Sequence, residues 1–260
     1  MKKFYKDLSK YFYYAIYAAK VDLKAEVANS YLNWIWWILE PVFVMLIFTY
    51  VFGTLFANSE LYFPVFIYSG LIMWDFFART ANYSVSLVRK NKQIITKVYV
   101  PKFILLLENM FLNFIKLMIA WIVLFFMMFA FGVPFTAKIL YIIPIYLIYF
   151  IFSFGIGTIL LHFGVFVDDL SYVVAILLRF LFYISGVFYN IEKRFPATEG
   201  RLLEVCNPLA AMMKAMHNVL MYNTNPDFKL LFFWLVVSIL ISIIGIKTVY
   251  KYENSYVKVI

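Results

Sequence analysis

Four ionisable side chains interrupt long apolar runs of this sequence, where burying a charge is costly and usually serves a purpose. They are Asp75, Arg79, Lys116 and Arg179. Asp75 and Arg79 are four residues apart, so on a helix they would share one face and could neutralise each other. Two interpretations stay open: a proton relay, or groups that pair internally or face a polar conduit without titrating. We favour the second, because Asp75 alone has the chemistry of a proton carrier within the membrane.

Common catalytic signatures are absent from the sequence. It has no G-x-x-x-x-G-K-[ST] phosphate loop, so we expect no ATP hydrolysis on this chain. The glycines of GIGTILLHFG at 155–164 lie in an apolar run and are expected to allow close helix packing. His162 and His217 have no second ligand three or four residues away, and the single Cys206 leaves no cysteine-based metal site. We therefore expect structural histidines, no metal and no cofactor.

Aromatic residues make up 22% of the chain and are concentrated along two of the apolar runs. Rings offer flat apolar faces, and Trp and Tyr add one polar group each, which suits stacking on the C–H faces of sugars. Ordinary lipid-facing bulk or an interfacial belt is the alternative. The residues predicted to line a sugar conduit are Trp34, Trp36, Trp37, Phe43, Tyr50, Phe180, Tyr183 and Phe188.

The composition is that of a membrane protein. Of the 260 residues, 65% are hydrophobic and 14% are charged, too few charges to cover a water-facing surface. A helix needs about 20 apolar residues to cross the hydrocarbon. Six runs qualify: 33–56, 63–88, 103–131, 139–163, 172–189 and 230–250. The prediction is an all-α integral membrane fold with six transmembrane helices in one domain, 1–260.

Basic residues predict the orientation. The net charge of +9 lies in blocks between apolar runs, which fits membrane topology better than nucleic-acid binding. The blocks are the N-terminal segment, 89–102 and the C-terminus, whereas the short loops near Asn58 and Pro134 contain only Lys138. Lysine and arginine beside spans are retained in the cytoplasm, so we expect both termini inside, in the plasma (inner) membrane. The opening MKKFYKDLSK lacks a following apolar core and cleavage site, so no signal peptide is expected.

Two segments are predicted to be helical without spanning. Residues 4–30, within the cytoplasmic segment 1–30, mix apolar residues with lysines at helical spacing. They predict an amphipathic helix on the inner leaflet, with a solvated tail as the alternative. The outer segment 190–229 holds apolar stretches at 202–206 and 209–221, broken at Asn207-Pro208. We expect a re-entrant pair of short helices whose ends are covered by protein.

The stretch NKQIITKVYVPKFILLLENM at 91–110 resembles the L-I-x-K-x-x-F-P-x-x-x-L-P segment of ABC-2 type transporter permeases, especially exporters of O-antigen and teichoic-acid polysaccharides. Further matches follow in order through nearly the whole chain. The matching set is Ile94, Ile95, Lys97, Val98, Tyr99, Pro101, Leu105, WILEP at 37–41, Gly70, Trp74, Phe77, DL at 169–170, SGVFY at 185–189 and NPL at 207–209. The sequence departs from the pattern at Leu107, in place of the second proline, and at Asp168, in place of arginine.

This resemblance implies the permease subunit of an exporter that moves lipid-linked polysaccharide outward, without enzymatic activity of its own. It implies a homodimer with the conduit between protomers, and two copies of a separate ATPase subunit that bind ATP and Mg²⁺. A coupling helix in the second basic block would dock on that ATPase, and we expect one helix from Asn91 closed by Pro101. The assigned coupling residues are Ile94, Ile95, Val98, Tyr99, Pro101 and Asp169.

Other interpretations stay open at this point. The coupling segment could be a solvated basic loop that only sets topology. The cargo could be a drug or a lipid, and rivals of another class are a membrane-embedded glycosyl or acyl transferase and a proton-driven carrier. A transferase should show clustered Asp, His or Arg at a membrane face, and a carrier should show an inverted repeat. Neither feature is evident in the sequence.

Overall fold

The structure, a computed structural model, describes residues 2–28, 33–55 and 60–259, and every regular element within them is helical. A π-helical segment, Thr49–Leu55, continues α2, and a 3₁₀ turn, Ala137–Tyr141, precedes α6. The predicted end of span one at 56, the loop near Asn58 and residues 29–30 lie outside the described residues. The α-helices are α1 (Lys2–Ala28), α2 (Asn33–Phe48), α3 (Phe63–Lys90), α4 (Lys92–Lys97), α5 (Lys102–Ala130), α6 (Ile142–Phe166), α7 (Leu170–Ile184), α8 (Ile191–Arg194), α9 (Ala197–Cys206), α10 (Pro208–Leu220) and α11 (Phe228–Val259).

Within the described residues, four helical stretches are long and apolar enough to cross a membrane: Trp34–Thr54, Lys102–Ala130, Ala137–Phe166 and Phe228–Tyr256. They correspond to predicted spans one, three, four and six. The second predicted span lies within α3, a continuous helix of 28 residues.

The fifth predicted span differs from the prediction at its end. α7 stops at Ile184 instead of reaching 189. A turn follows, in which Gly186 adopts a positive φ of 74°, a conformation that side-chain-bearing residues rarely take. With 15 residues, α7 is about 22 Å long, which is shorter than the roughly 30 Å hydrocarbon core.

α3 lies at the centre of the fold and packs against α2, α5, α6 and α7, while α6 packs along α11. Small residues make these approaches close. A Cβ on Gly164 would lie 2.1 Å from the carbonyl oxygen of Val85, so α6 touches the backbone of α3 there. A Cβ on Gly245 would lie 2.0 Å from Oγ1 of Thr158, where α11 meets α6. The expectation that glycines in 155–164 permit close packing is confirmed.

The predicted amphipathic segment forms α1, a helix that packs on α5. The rings of Phe4 and Phe103 are 5.0 Å apart, and those of Phe12 and Phe111 are 5.6 Å apart. Its apolar face therefore covers protein, and its position on the inner leaflet stays a prediction.

The predicted outer segment contains the expected pair of short helices, α9 and α10, separated at Asn207. Asn207 Oδ1 accepts hydrogen bonds from the N–H groups of Leu209, at 3.0 Å, and Ala210, at 3.3 Å. These bonds satisfy free donors at the start of α10 and begin that helix. The predicted break is confirmed, the short helix α8 was not predicted, and the re-entrant placement stays a prediction.

Candidate functional site

α2 and α7 leave an unusually large apolar surface uncovered. Only 11% of the apolar window of α2 is buried, against 39–44% in the other three spanning candidates. α7 buries only Val174 and Leu178. The two elements are adjacent, because both pack on α3 and the rings of Phe48 and Phe182 lie 5.8 Å apart. An apolar surface of this size is typical of an interface with lipid or with another protein.

The predicted conduit residues lie mostly on this surface. Along α2 and its π-helical continuation, Trp36, Phe43 and Tyr50 are exposed at a spacing of seven residues, which places them on one face. On α7, Phe180 and Tyr183 are exposed three residues apart. Trp34 is also exposed, but off that seven-residue repeat.

Two predicted conduit residues instead face inward. Trp37 is half-buried, with Nζ of Lys116 5.0 Å from the centre of its ring. Phe188 is buried and stacks on Phe52 with centroids 4.5 Å apart. These two rings pack beneath the exposed aromatic surface of α2 and α7. Contact between any of the predicted conduit residues and a substrate stays a prediction.

Three of the four intramembrane charges surround a small cavity of about 30 Å³ between α2, α3 and α5. Nη2 of Arg79 lies 3.5 Å from Oδ2 of Asp75 and 2.9 Å from Oε2 of Glu40. Nζ of Lys116 lies 2.6 Å from Oε2 of Glu26 on α1. The predicted Asp75–Arg79 pairing is confirmed. Sequence reasoning missed both glutamates, because their partners are 39 and 90 positions away along the chain.

The remaining candidates for chemistry lie apart from that cavity. Arg179 is exposed on α7. Nδ1 of His162 lies 2.9 Å from the hydroxyl of Tyr256, and His217 is buried with its ring 3.7 Å from that of Phe66. In 2–28, 33–55 and 60–259, no group of three or more His, Cys, Asp or Glu side chains is arranged to hold a metal.

The predicted coupling helix is shorter than expected. α4 covers Lys92–Lys97, and the prediction of one helix as far as Pro101 is wrong. Val98 is extended, with φ −135° and ψ 138°. A residue that precedes proline, here Val100, disfavours the helical region, so the chain straightens before Pro101, and α5 begins at Lys102.

The predicted coupling residues of this segment divide into two groups. Ile94 is 38% exposed and Val98 is 59% exposed, so both are available to a partner. Ile95 is only 6% exposed and packs into the chain's own core. Tyr99 is 51% exposed, but its hydroxyl donates a hydrogen bond to Oε2 of Glu253, at 3.2 Å. Burial and that carboxylate raise the pKa of Tyr99, which keeps the hydroxyl protonated.

The connection between α6 and α7 lies beside the coupling segment. Asp168 forms an ion pair with Arg89 at the end of α3. Asp169 is exposed next to it. A groove of about 410 Å³ opens at this end of the molecule. Its lining is Arg89, Lys92, Val165, Phe166, Asp168 and Val259.

A cluster of ion pairs within residues 190–229 was not predicted. Glu204 is 1% exposed, and its Oε1 lies 2.7 Å from Nζ of Lys214. Arg201 lies 2.9 Å from Asp227, at the start of α11. Although partial desolvation opposes it, the N–H of Leu230 and the Arg201 guanidinium lower the pKa of Asp227. These bonds tie α9 and α10 to each other and to α11.

The comparisons with known proteins decide the family. A model of the ABC-2 type transporter family matches residues 17–221. The chain belongs to that family. Membership, together with the apolar helices, makes this a multi-pass membrane protein and the transport subunit of an ABC-2 system. The match also includes the predicted coupling segment, α2 and α7.

Bacterial proteins named as export and transport proteins are similar to the chain over two thirds or more of their length. The chain is 24% identical over 242 residues to an O-antigen export system permease protein, RfbA, of Klebsiella pneumoniae, covering 92% of each chain. It is 23% identical to the protein of the same name from Myxococcus xanthus, covering 87% of each. The polysialic acid transport protein KpsM of Escherichia coli is 25% identical over 174 residues, covering 66% of this chain and 67% of that one.

Proposed function

We propose that this chain is the permease subunit of an ABC exporter that moves a lipid-linked polysaccharide outward across the plasma membrane. The observation that carries the proposal is the similarity to O-antigen export permeases over 92% of both chains. The exposed aromatic residues of α2 and α7 support it, because rings stack on sugar C–H faces without requiring one particular glycan. The cargo is of the O-antigen, teichoic-acid or polysialic-acid kind.

The exporter contains two copies of this chain, each a single domain, facing each other through α2 and α7. The uncovered apolar surface of these helices supports that arrangement, since a second copy would cover its edges and leave the aromatic stripes along a conduit. The intramembrane pairs Asp75–Arg79 and Lys116–Glu26 act as neutralised structural groups beside this conduit.

Each protomer crosses the membrane six times, with both termini in the cytoplasm. Contacts between the two ends support this: the Tyr250 hydroxyl donates to Oδ2 of Asp7 at 2.7 Å, so the start of α1 lies beside the end of α11. The coupling segment lies at the same end, through Tyr99 and Glu253. The segment α8–α10 forms a re-entrant cap at the outer exit.

Energy comes from two copies of a separate ATPase subunit that bind ATP and Mg²⁺. Each copy docks on the exposed Ile94 and Val98, with Asp169 at the edge of the contact. Closure of the ATPase pair moves the coupling segments and widens the conduit, because the ATPase has different affinities for the two arrangements.

The proposal is tested by depletion followed by complementation. Depletion should leave lipid-linked glycan inside the cell and reduce glycan at the surface, and the wild-type gene should restore it. Trp36→Ala and Tyr183→Ala should restore less surface glycan per molecule of permease. The matched control is Phe126→Ala, an exposed ring on α5. Unchanged surface glycan on depletion would contradict the proposal and favour a drug or lipid cargo. Equal effects of all three variants would mean that the α2 and α7 rings only face lipid.

A further inference from the structure

Glu253, near the end of α11, is a buried carboxylate at the meeting point of four segments. Its side chain is 8% exposed. Oε2 accepts the hydrogen bond from the Tyr99 hydroxyl and lies 3.7 Å from Nζ of Lys3 on α1. Oε1 lies 3.7 Å from Nζ of Lys102, at the start of α5. One carboxylate therefore joins α1, the coupling segment, α5 and α11.

The contacts of the Glu253 carboxylate are expected to stay intact when the ATPase moves the coupling segment. A buried carboxylate is costly unless hydrogen bonds and opposite charges surround it, so separating Glu253 from its partners is unfavourable. The Lys102 side chain is only 3% exposed and depends on the same carboxylate. Nζ of Lys3 also lies 4.7 Å from the ring centre of Tyr250, which adds a second contact between α1 and α11.

The position of Tyr99 gives these contacts a mechanical consequence. Tyr99 directly follows Val98, the most exposed of the four apolar coupling residues. A docked ATPase that moves Val98 would therefore also move Tyr99, the next residue, and with it the hydrogen-bonded carboxylate of Glu253. The Tyr11 hydroxyl, on α1, donates to the carbonyl oxygen of Tyr99 at 3.5 Å, so α1 follows the same movement.

α1 extends from this junction to the candidate conduit. It has 27 residues and is about 40 Å long. Lys3 lies at one end, and near the other Glu26 binds Lys116, whose ammonium lies over the ring of Trp37 on α2. A helix held at both ends transmits displacement as a rigid body. α1 would therefore transmit a movement of its cytoplasmic end to the start of α2, near Trp37.

We infer that Glu253 is a positioning residue that links the coupling segment to α1 and α11, so that α1 transmits the ATPase movement to α2. The inference rests on the proposed function, because it requires a motor docked on the coupling segment. It concerns a residue outside both the docking surface and the conduit.

The test uses the full permease–ATPase complex with Tyr99→Phe and Glu253→Gln. The first variant removes one hydroxyl, and the second keeps the side-chain size but removes the charge. Tyr252→Phe is the matched control, since no hydrogen bond of the Tyr252 hydroxyl occurs within the described part of the chain. If Glu253→Gln alone lowers the yield by leaving Lys102 unpaired, Glu253→Gln with Lys102→Met removes both charges together.

Export and ATPase binding are measured first. We expect both variants to co-purify with the ATPase as the wild type does, and to lose about tenfold in surface glycan per permease, the cost of one charge-assisted hydrogen bond. The double variant Tyr99→Phe with Glu253→Gln should lose less than the product of the two single losses, because both changes weaken the Tyr99–Glu253 hydrogen bond, although Glu253→Gln also removes the ion pairs with Lys3 and Lys102. Export equal to that of Tyr252→Phe would overturn the inference, and so would a loss that only follows protein abundance.

A distance measurement separates transmission from a merely structural role. Spin labels at Lys97 and Lys6, in a Cys206→Ser background, report the separation of the coupling segment from α1. With a hydrolysis-deficient ATPase, the wild-type separation should stay the same with and without ATP, whereas Tyr99→Phe and Glu253→Gln should make it depend on ATP. A wild-type distance that changes with ATP, or a variant distance that does not, overturns the inference. If the wild-type chain binds no ATPase, the proposed function fails first, and the inference with it.

Discussion

Placing two carboxylates on the exposed side of the coupling segment should uncouple the permease from its ATPase without unfolding it. The change is Ile94→Asp with Val98→Asp. Fully burying an aliphatic side chain is worth about 1.5–3 kcal/mol. Ile94 and Val98 still expose 38% and 59% of their surface. Covering those fractions would contribute about 1 kcal/mol each, or about 2 kcal/mol per protomer. The loss of about 2 kcal/mol alone weakens docking about 30-fold.

Desolvation of the new carboxylates adds to that loss. Moving an unpaired charge into an apolar contact costs several kcal/mol more, so binding should fall below detection in a pull-down. The matched control is Gln93→Asp with Thr96→Asp, which adds the same charge to exposed positions of α4. Both variants keep every lysine and arginine, so insertion should be unchanged. The assays are membrane abundance, ATPase co-purification and surface glycan. Normal binding and export by the Ile94 and Val98 variant would refute the docking assignment.

Three further predictions follow from helix packing, the outer ion pairs and topology. Gly164→Ala should destabilise the protein by about 1–3 kcal/mol in a thermal-unfolding assay, because its Cβ would overlap the α3 backbone. The control Gly200→Ala, whose Cβ would have no neighbour closer than 3.6 Å, should be neutral or stabilising. Equal effects of the two variants would contradict the packing argument. Glu204→Gln should cost about 1.5–3 kcal/mol, because Lys214 loses its charged partner at 2.7 Å but keeps Glu192, and an unchanged melting temperature in detergent would contradict this. Cys206 is exposed and should react with an impermeant thiol reagent applied to intact cells, whereas a cysteine at Lys92 should react only after permeabilisation. The reverse pattern would refute the six-span topology.

The helical segments could be predicted because each depends on local information. A run of about 20 apolar residues must hydrogen-bond its own backbone in lipid, so length and composition alone indicated the long helices. The break at Asn207 was equally local, since the side chain caps the helix that follows it. The i,i+4 pairing of Asp75 with Arg79 depends only on helix geometry.

The coupling segment illustrates where local patterns were insufficient. The family resemblance assigned Ile94, Ile95, Val98 and Tyr99 together to the contact with the ATPase. Tertiary packing instead buries Ile95 in the core and bonds Tyr99 to Glu253, 154 positions away. Ile94 and Val98 are exposed without such a bond, whereas Tyr99 is exposed but hydrogen-bonded through its hydroxyl, and nothing in the local sequence distinguishes these cases.

The sequence by itself determined the membrane environment, the helices and the chemical types available, because these depend on composition and on residues within a few turns. Only the tertiary structure decided which charges meet, which aromatic rings stay exposed and which carboxylate joins the coupling segment to α1. Those outcomes depend on contacts between distant parts of the chain. Glu26 reaches Lys116 across 90 positions, and Glu253 reaches Lys3 across 250. The periodicity of the sequence does not predict such pairs, because they form only when whole helices pack against each other.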